Sequence, residues 1–334
     1  MESRFIQPQP RRLRRLCCIA TVCVFGCCQA AWAQESEPFR TRNLNPLASI
    51  FGLPVWHVSQ DSQRFSITSE LANHYSLSRR VDDALILDGE TWRTGFAFST
   101  TVNEQWSVDV EIPVYQQSGG VLDDTVDGWH SLFGLPDGGR NNRPEDVLRF
   151  QLADANGVFL DLSERDQGLG DIQVSIGHPI GPDERYLLTG VVKLATGDED
   201  NLTGSGSTDW AVTLLRSQSG MFRDRAAGYF WGVGLLRTGE AKRIAYEREE
   251  LVYVGILGGS LKLLPHFGLK AQIDVHAPFF NTPLEEIGQT SIQATLGGWW
   301  DMNERSVIEF AISEDLNVST GPDVVLHIGF RWAW

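Results

Sequence analysis

The sequence predicts an all-β protein: a transmembrane antiparallel β-barrel of about twelve strands with one long extracellular loop. Three observations carry this. Apolar and polar residues alternate with period two in segments of about ten residues, separated by turn residues, while helical periodicity is nearly absent. No run of roughly eighteen apolar residues follows Ala33, so no helix is available to cross a bilayer. The last segment ends on Trp334, its apolar face growing more aromatic toward the end, where a water-soluble sandwich normally tapers to polar residues.

Export comes first along the chain. Residues 1–16 carry Arg4, Arg11, Arg12, Arg14 and Arg15 against Glu2; an apolar run follows from Cys17 to Cys28, and Ala31-Trp32-Ala33 precedes Gln34. A basic region, a short apolar core and an A-x-A site read as a secretory signal peptide over 1–33, with Ala31 and Ala33 marking the cleavage site. Val24-Phe25-Gly26-Cys27 is a degenerate lipoprotein-type alternative. All five cysteines (Cys17, Cys18, Cys23, Cys27 and Cys28) lie within that leader, so the processed chain has none. A disulfide scaffold, a catalytic cysteine and thiolate metal sites are thereby excluded. Losing five arginines and one glutamate moves the net charge from −15 to −19. So acidic an exported chain is a poor partner for nucleic acid.

Residues 34–63 form a second unit. They contain the apolar, proline-bounded stretch Asn43-Leu44-Asn45-Pro46-Leu47-Ala48-Ser49-Ile50-Phe51-Gly52-Leu53-Pro54. It reads either as a segment tucked into the lumen from the periplasmic side or as a leader packed on the barrel rim.

The barrel itself spans 64–334. Strands are expected over about 64–78, 84–102, 106–116, 168–180, 185–197 and 208–217, then 226–238, 249–262, 267–278, 290–300, 306–314 and 323–334. The clearest places Trp106, Val108, Val110, Ile112 and Val114 on one face and Ser107, Asp109, Glu111 and Pro113 on the other. Short connections follow the even strands, at 103–105, 181–184, 218–225, 263–266 and 301–305. Those after the odd strands are mostly longer and more polar, which puts both chain ends on the periplasmic side. Over 117–167 lies a connection too long for an ordinary loop, with Val147–Leu152 and Val158–Leu162 as a candidate extra hairpin inside it. In the final strand Val324, Leu326, Ile328, Phe330, Trp332 and Trp334 share the lipid face. Phe330, Trp332 and Trp334 read as the assembly signal, and this strand must pair with the first near Phe65 to Tyr75, because an unpaired edge in lipid strands its backbone polar groups.

The stretch Asp127-Gly128-Trp129-His130-Ser131-Leu132-Phe133-Gly134-Leu135-Pro136-Asp137-Gly138-Gly139-Arg140 resembles an uncharacterised family of Gram-negative outer-membrane proteins. Leu87-Asp88-Gly89-Glu90-Thr91-Trp92-Arg93, the Asn-x-Asn-Pro-Leu segment at 43–47 and Gly168-Leu169-Gly170-Asp171 are similar to it as well. The resemblance implies an address and a fold, and brings no reaction with it.

Candidate functional residues fall into four groups. The polar face carries Asp109, Glu111, Lys193, Lys270, Asp274, His276, Glu309 and Arg331, a lumen lining of mixed charge that suits either ion-pair networks closing the bore or a constricted path. In the long loop, Trp129, His130, Arg140 and Arg143 suit a ligand-binding or pore-narrowing element, or a self-packed loop. His74 and Ser76 resemble the His-x-Ser spacing of lipid A deacylases, with Asp88 or Glu90 as the orienting acid, but the preferred account of them is plain lumen-facing polar residues. Asp198 and Asp200 are oxygen ligands of the kind calcium takes, against the plainer reading of an acidic surface loop; no other metal or cofactor is expected. The function expected is a narrow, porin-like channel or substrate-specific passage. The alternatives are an outer-membrane enzyme acting on lipid or lipopolysaccharide, and a structural or surface-recognition barrel with a plugged lumen. Its partners would be outer-membrane lipid, lipopolysaccharide and the barrel assembly machinery.

Overall fold

The computed structural model describes residues 37–56, 63–80, 82–103, 105–120, 128, 146–182, 185–240, 244–317 and 320–334. Twelve antiparallel strands close a barrel. In chain order they are β1 (Gln63–Arg80), β2 (Asp83–Val102), β3 (Trp106–Ser118), β4 (Gln173–Ile180), β5 (Tyr186–Lys193) and β6 (Asp209–Phe222). They continue as β7 (Arg225–Arg237), β8 (Leu251–Leu264), β9 (Phe267–His276), β10 (Ser291–Asn303), β11 (Ser306–Asp315) and β12 (Val324–Ala333). Closure is the pairing of β12 with β1, with Phe65 opposite Trp332 and Leu71 opposite Leu326. The expected seam and strand number both hold.

The strands form where they do because each inner position alternates with an outer one. On β3, Ser107, Asp109, Glu111, Tyr115 and Gln117 are buried, while Trp106, Ile112 and Val114 are exposed. The outer surface is an apolar belt that includes Trp210, Tyr253, Leu296 and Ile328, the last three more than 60% exposed. So wide a band of bare apolar side chains fits hydrocarbon and not water. Aromatics mark the rim that carries the short turns, the side that faces the periplasm in barrels of this kind; there Trp332 stacks on Trp334 at 4.6 Å between centroids and Phe98 lies 6.2 Å from Trp334.

Three boundaries differ from the sequence expectation by four residues or more. Between β6 and β7 the connection was expected to run from Gln218 to Arg225. The strands instead continue to a two-residue turn, Arg223-Asp224, both at positive φ (47° and 63°), the conformation that matches hairpin twist. Second, the fourth strand does not run unbroken from 168. Asp166–Leu169 and β4 pair separately with β3, on either side of Pro113, which has no N–H to give the ladder. The Gly170 N–H donates to the Pro113 carbonyl across the break, at 2.8 Å. Third, β5 stops at Lys193 and does not reach 197.

The extra hairpin inside 117–167 is present as Arg149–Asp154 and Gly157–Leu162, and it pairs onto the outer half of β2 through Asp88–Arg149 to Ala84–Ala153. With 18 and 20 residues, β1 and β2 exceed the ~9–11 needed to cross a bilayer, so this flap stands beyond the extracellular end.

Candidate functional site

Residues 37–56 lie inside the barrel, and each of them is buried. None of them belongs to the barrel's sheet. The segment is held by side chains, and its contacts change character along its length.

The first part is held by charge. Glu37 meets Arg64 of β1 at 2.5 Å and Arg331 of β12, both near the periplasmic end. Arg331 also reaches Glu309 of β11 at 3.1 Å, and Glu309 accepts from Lys270 of β9 at 2.8 Å. The Lys270 ammonium stands 4.4 Å from the Phe39 ring centre, a cation–π contact, and the Phe39 N–H donates to Gln272 Oε1 at 2.8 Å. Arg40 makes a two-pronged contact with Asp109, 3.1 Å on each arm, and a further one with Glu111 at 3.1 Å. Such forks fit the planar guanidinium to a carboxylate. Arg42 binds Glu111 at 2.9 Å. Glu111 is in turn paired with Arg93 of β2, whose other arm reaches Glu70 of β1 at 3.0 Å. Asp109 and Glu111 face Arg40 and Arg42 together because they are two apart on one strand.

Beyond these the groups that the segment itself contributes are neutral. Thr41 reaches Asp274 at 3.5 Å, and Asn43 Nδ2 lies 2.9 Å from His276 Nε2 and 3.1 Å from Ser291 Oγ. A single helical turn, α1 (Pro46–Ser49), follows, with Asn45 capping it by accepting from the Leu47 N–H at 3.0 Å. Lys193 donates to the Ile50 carbonyl at 3.1 Å and is paired with Asp171 (2.6 Å) and Asp209 (3.1 Å). Asp209 accepts from the Gly52 N–H at 2.8 Å. Around this turn Leu47, Ile50, Phe51, Leu53 and Trp56 join an apolar cluster with Leu85, Phe150, Ile256, Phe279 and Phe280. Phe51 and Phe279 stack at 4.5 Å. Trp56 then lies against Gly232 of β7, where a Cβ would stand 2.5 Å from the indole, so only glycine leaves that seat free. Between segment and wall, a cavity of about 30 Å³ lined by Arg42, Trp56 and Asp274 has room for a water or two.

The residues singled out from sequence divide as follows. Asp109, Glu111, Lys193, Lys270, Asp274, His276, Glu309 and Arg331 all contact this segment or its partners. His74 faces inward, 2.9 Å from Thr91 Oγ1 and edge-on to Phe150. Asp88 sits opposite Tyr75, on the other face of the sheet, while Ser76 sits opposite Leu87. The structure therefore does not bring Asp88 to the His74 ring. Asp198 uses its carboxylate to cap its own loop, at the Asp200 N–H (2.9 Å) and Asn201 Nδ2 (3.2 Å). Phe330 and Trp332 alternate with the inward Arg331 along β12, and Trp332 and Trp334 are exposed. Trp129, His130, Arg140 and Arg143, with Ala31 and Ala33, lie outside the described residues. Sequence reasoning missed Glu37, Arg40, Arg42 and Asn43. The one available signal was Arg40-Thr41-Arg42, two cations facing one way in an extended chain.

Residues 13–334 match the model of a family described as Protein of unknown function (DUF3187), and the chain belongs to that family. No curated protein matches it in sequence. Among solved structures it is similar to the COG4313 outer membrane channel from Pseudomonas putida F1, at 12% identity and a TM-score of 0.49, covering 85% of this chain and 98% of that one. It is similar also to the NanC porin (8% identity, TM-score 0.43, 81% and 100% covered). A Pseudomonas aeruginosa FadL homologue is a third such structure (11% identity, TM-score 0.40, 91% and 97% covered).

Proposed function

We propose that this member of the DUF3187 family is an outer-membrane channel whose bore is shut by residues 37–56 of its own chain and opens when that segment withdraws. The observation that carries the reading is the character of the wall behind the segment. Asp109, Glu111, Lys270, Glu309 and Arg331 are buried in the bore beside the segment, and each is a group that water solvates well. The sheet's own pairings do not use the segment's backbone, so withdrawal leaves the barrel closed and its interior wettable. Buried ion pairs contribute little net stability because desolvation offsets their attraction. The charged part of the segment can therefore exchange its partners for water at modest cost, which suits a gate better than a permanent core. Export by a signal peptide cleaved after Ala33, and folding into a Gram-negative outer membrane by way of the assembly machinery, accompany this reading.

A lock tests it. A Cβ built on Gly52 stands 3.1 Å from Asp209 Cβ, a few tenths short of the ~3.5–4.5 Å that a disulfide spans. With every native cysteine in the first 28 residues, a Gly52→Cys/Asp209→Cys pair has no competitor in the processed chain. In planar bilayers the wild type should show openings, the oxidised pair should be silent, and reductant should restore current. Silence from the wild type and from the reduced variant alike would leave the plugged structural barrel as the better account.

A further inference from the structure

One cation of the barrel points the wrong way for a lumen. Arg216 lies on β6, where Asp209, Ala211, Thr213 and Leu215 are the buried inner positions and Trp210 and Val212 are exposed to lipid, so Arg216 shares the outer face. Its pairing partners are Tyr186, the first residue of β5 after a periplasmic turn, and Trp231 of β7. One step toward the membrane centre, the same face carries Leu214 between Leu188 and Val233; one step toward the periplasm it carries Gln218 opposite Tyr229. Arg216 thus stands at the boundary between the apolar belt and the polar rim, where phospholipid headgroups of the periplasmic leaflet lie.

Its protein partners are neutral. Nη1 donates to the Tyr186 hydroxyl at 3.0 Å and Nη2 to Gln218 Oε1 at 3.2 Å. The guanidinium lies 5.4 Å from the Tyr186 ring centre, and the Tyr229 hydroxyl fixes Gln218 by donating to the same Oε1 at 2.7 Å. Arg216 forms no ion pair among the described residues, and Nε has no acceptor. At this depth an outward guanidinium is tolerated, and one whose protein partners are all neutral leaves its charge to be matched by a counter-charge from the membrane. We propose that Arg216, held by Tyr186 and Gln218, binds the phosphate of an anionic phospholipid of the periplasmic leaflet, whose acyl chain lies along Leu214 and Val212. The lipid phosphate accepts the remaining N–H donors as a planar guanidinium presents them. This site is independent of whether the bore conducts.

The probe is phosphatidylglycerol, titrated into detergent-solubilised full-length protein and counted by native mass spectrometry. The wild type should retain one lipid that Arg216→Gln binds about tenfold more weakly, the loss expected for a charge-assisted contact. Arg237→Gln, a change at the extracellular end of β7, should bind as the wild type does. A heat-modifiable gel shift establishes that each variant is folded; should Arg216→Gln not fold, a Tyr186→Phe/Gln218→Ala pair frees the guanidinium and should weaken retention. Equal retention in a folded Arg216 variant overturns the proposal. So does complete displacement of the lipid by millimolar inorganic phosphate, which would make a free anion the ligand.

Discussion

Arg40→Ala is the sharpest perturbation of the gate. Arg40 makes three contacts at 3.1 Å, two with Asp109 and one with Glu111, and all three side chains are buried. Removing one member of a buried pair strands the other and costs about 3–5 kcal/mol. The Ser99 hydroxyl continues to donate to Asp109, at 2.5 Å, which argues for the lower end. The penalty falls on the shut state alone, since in an open bore Asp109 meets water. About 3 kcal/mol at about 1.4 kcal/mol per tenfold raises the open-to-shut ratio roughly a hundredfold. Single-channel recording should show that rise as longer and more frequent openings, while the heat-modifiable band stays at wild-type level. Arg40→Lys keeps the charge but not the fork, and should fall between the two. An open probability equal to that of the wild type, in a barrel shown to be folded, would refute the assignment of Arg40 to the gate.

Three other outcomes are expected. Gly232→Leu places a Cβ 2.5 Å from the Trp56 indole, so the segment should lose its seat and become cleavable by added protease while the barrel remains resistant. Deleting Trp332–Trp334 removes three residues from the β1–β12 seam and should abolish the heat-modifiable form, whereas Arg331→Ala should leave assembly intact and loosen Glu37. Amino-terminal sequencing of the membrane-inserted protein should start at Gln34, and a lipidated Cys27 would contradict the cleavage site read from Ala31 and Ala33.

What the sequence made legible is the set of residues that sit at a boundary between two solvents. Along β3 and β12 each side chain meets either lipid or the bore, and the alternation of Trp106 through Val114 and of Val324 through Trp334 is the imprint of that choice. Residues 37–56 sit at no boundary. Walled in on all sides, they show no period, and their apolar, proline-bounded composition fitted the rim as well as the lumen. The charged wall residues were readable as inward-facing, but their partners were not: Arg40 and Asp109 are 69 positions apart and no local pattern links them. The ends of β6 and β7 that meet at Arg223-Asp224 are hidden for a different reason. Ser217, Ser219 and Gly220 are too polar and small to alternate visibly, and the ladder there rests on backbone pairing.

Glu37 is clasped by Arg64 and Arg331, one on each side of the seam where β12 meets β1. That placement bears on manufacture. A barrel is sealed by its final pairing, and afterwards a strap of some twenty buried residues would have to be threaded through a finished cylinder. With its clasp straddling the joint, the strap can instead be captured as the joint zips, Arg331 meeting Glu37 as β12 reaches β1. On that route the molecule would be delivered stoppered. A cell inserting many copies would at no point carry unguarded holes in its envelope, and permeability would begin only at a later signal that draws the stopper.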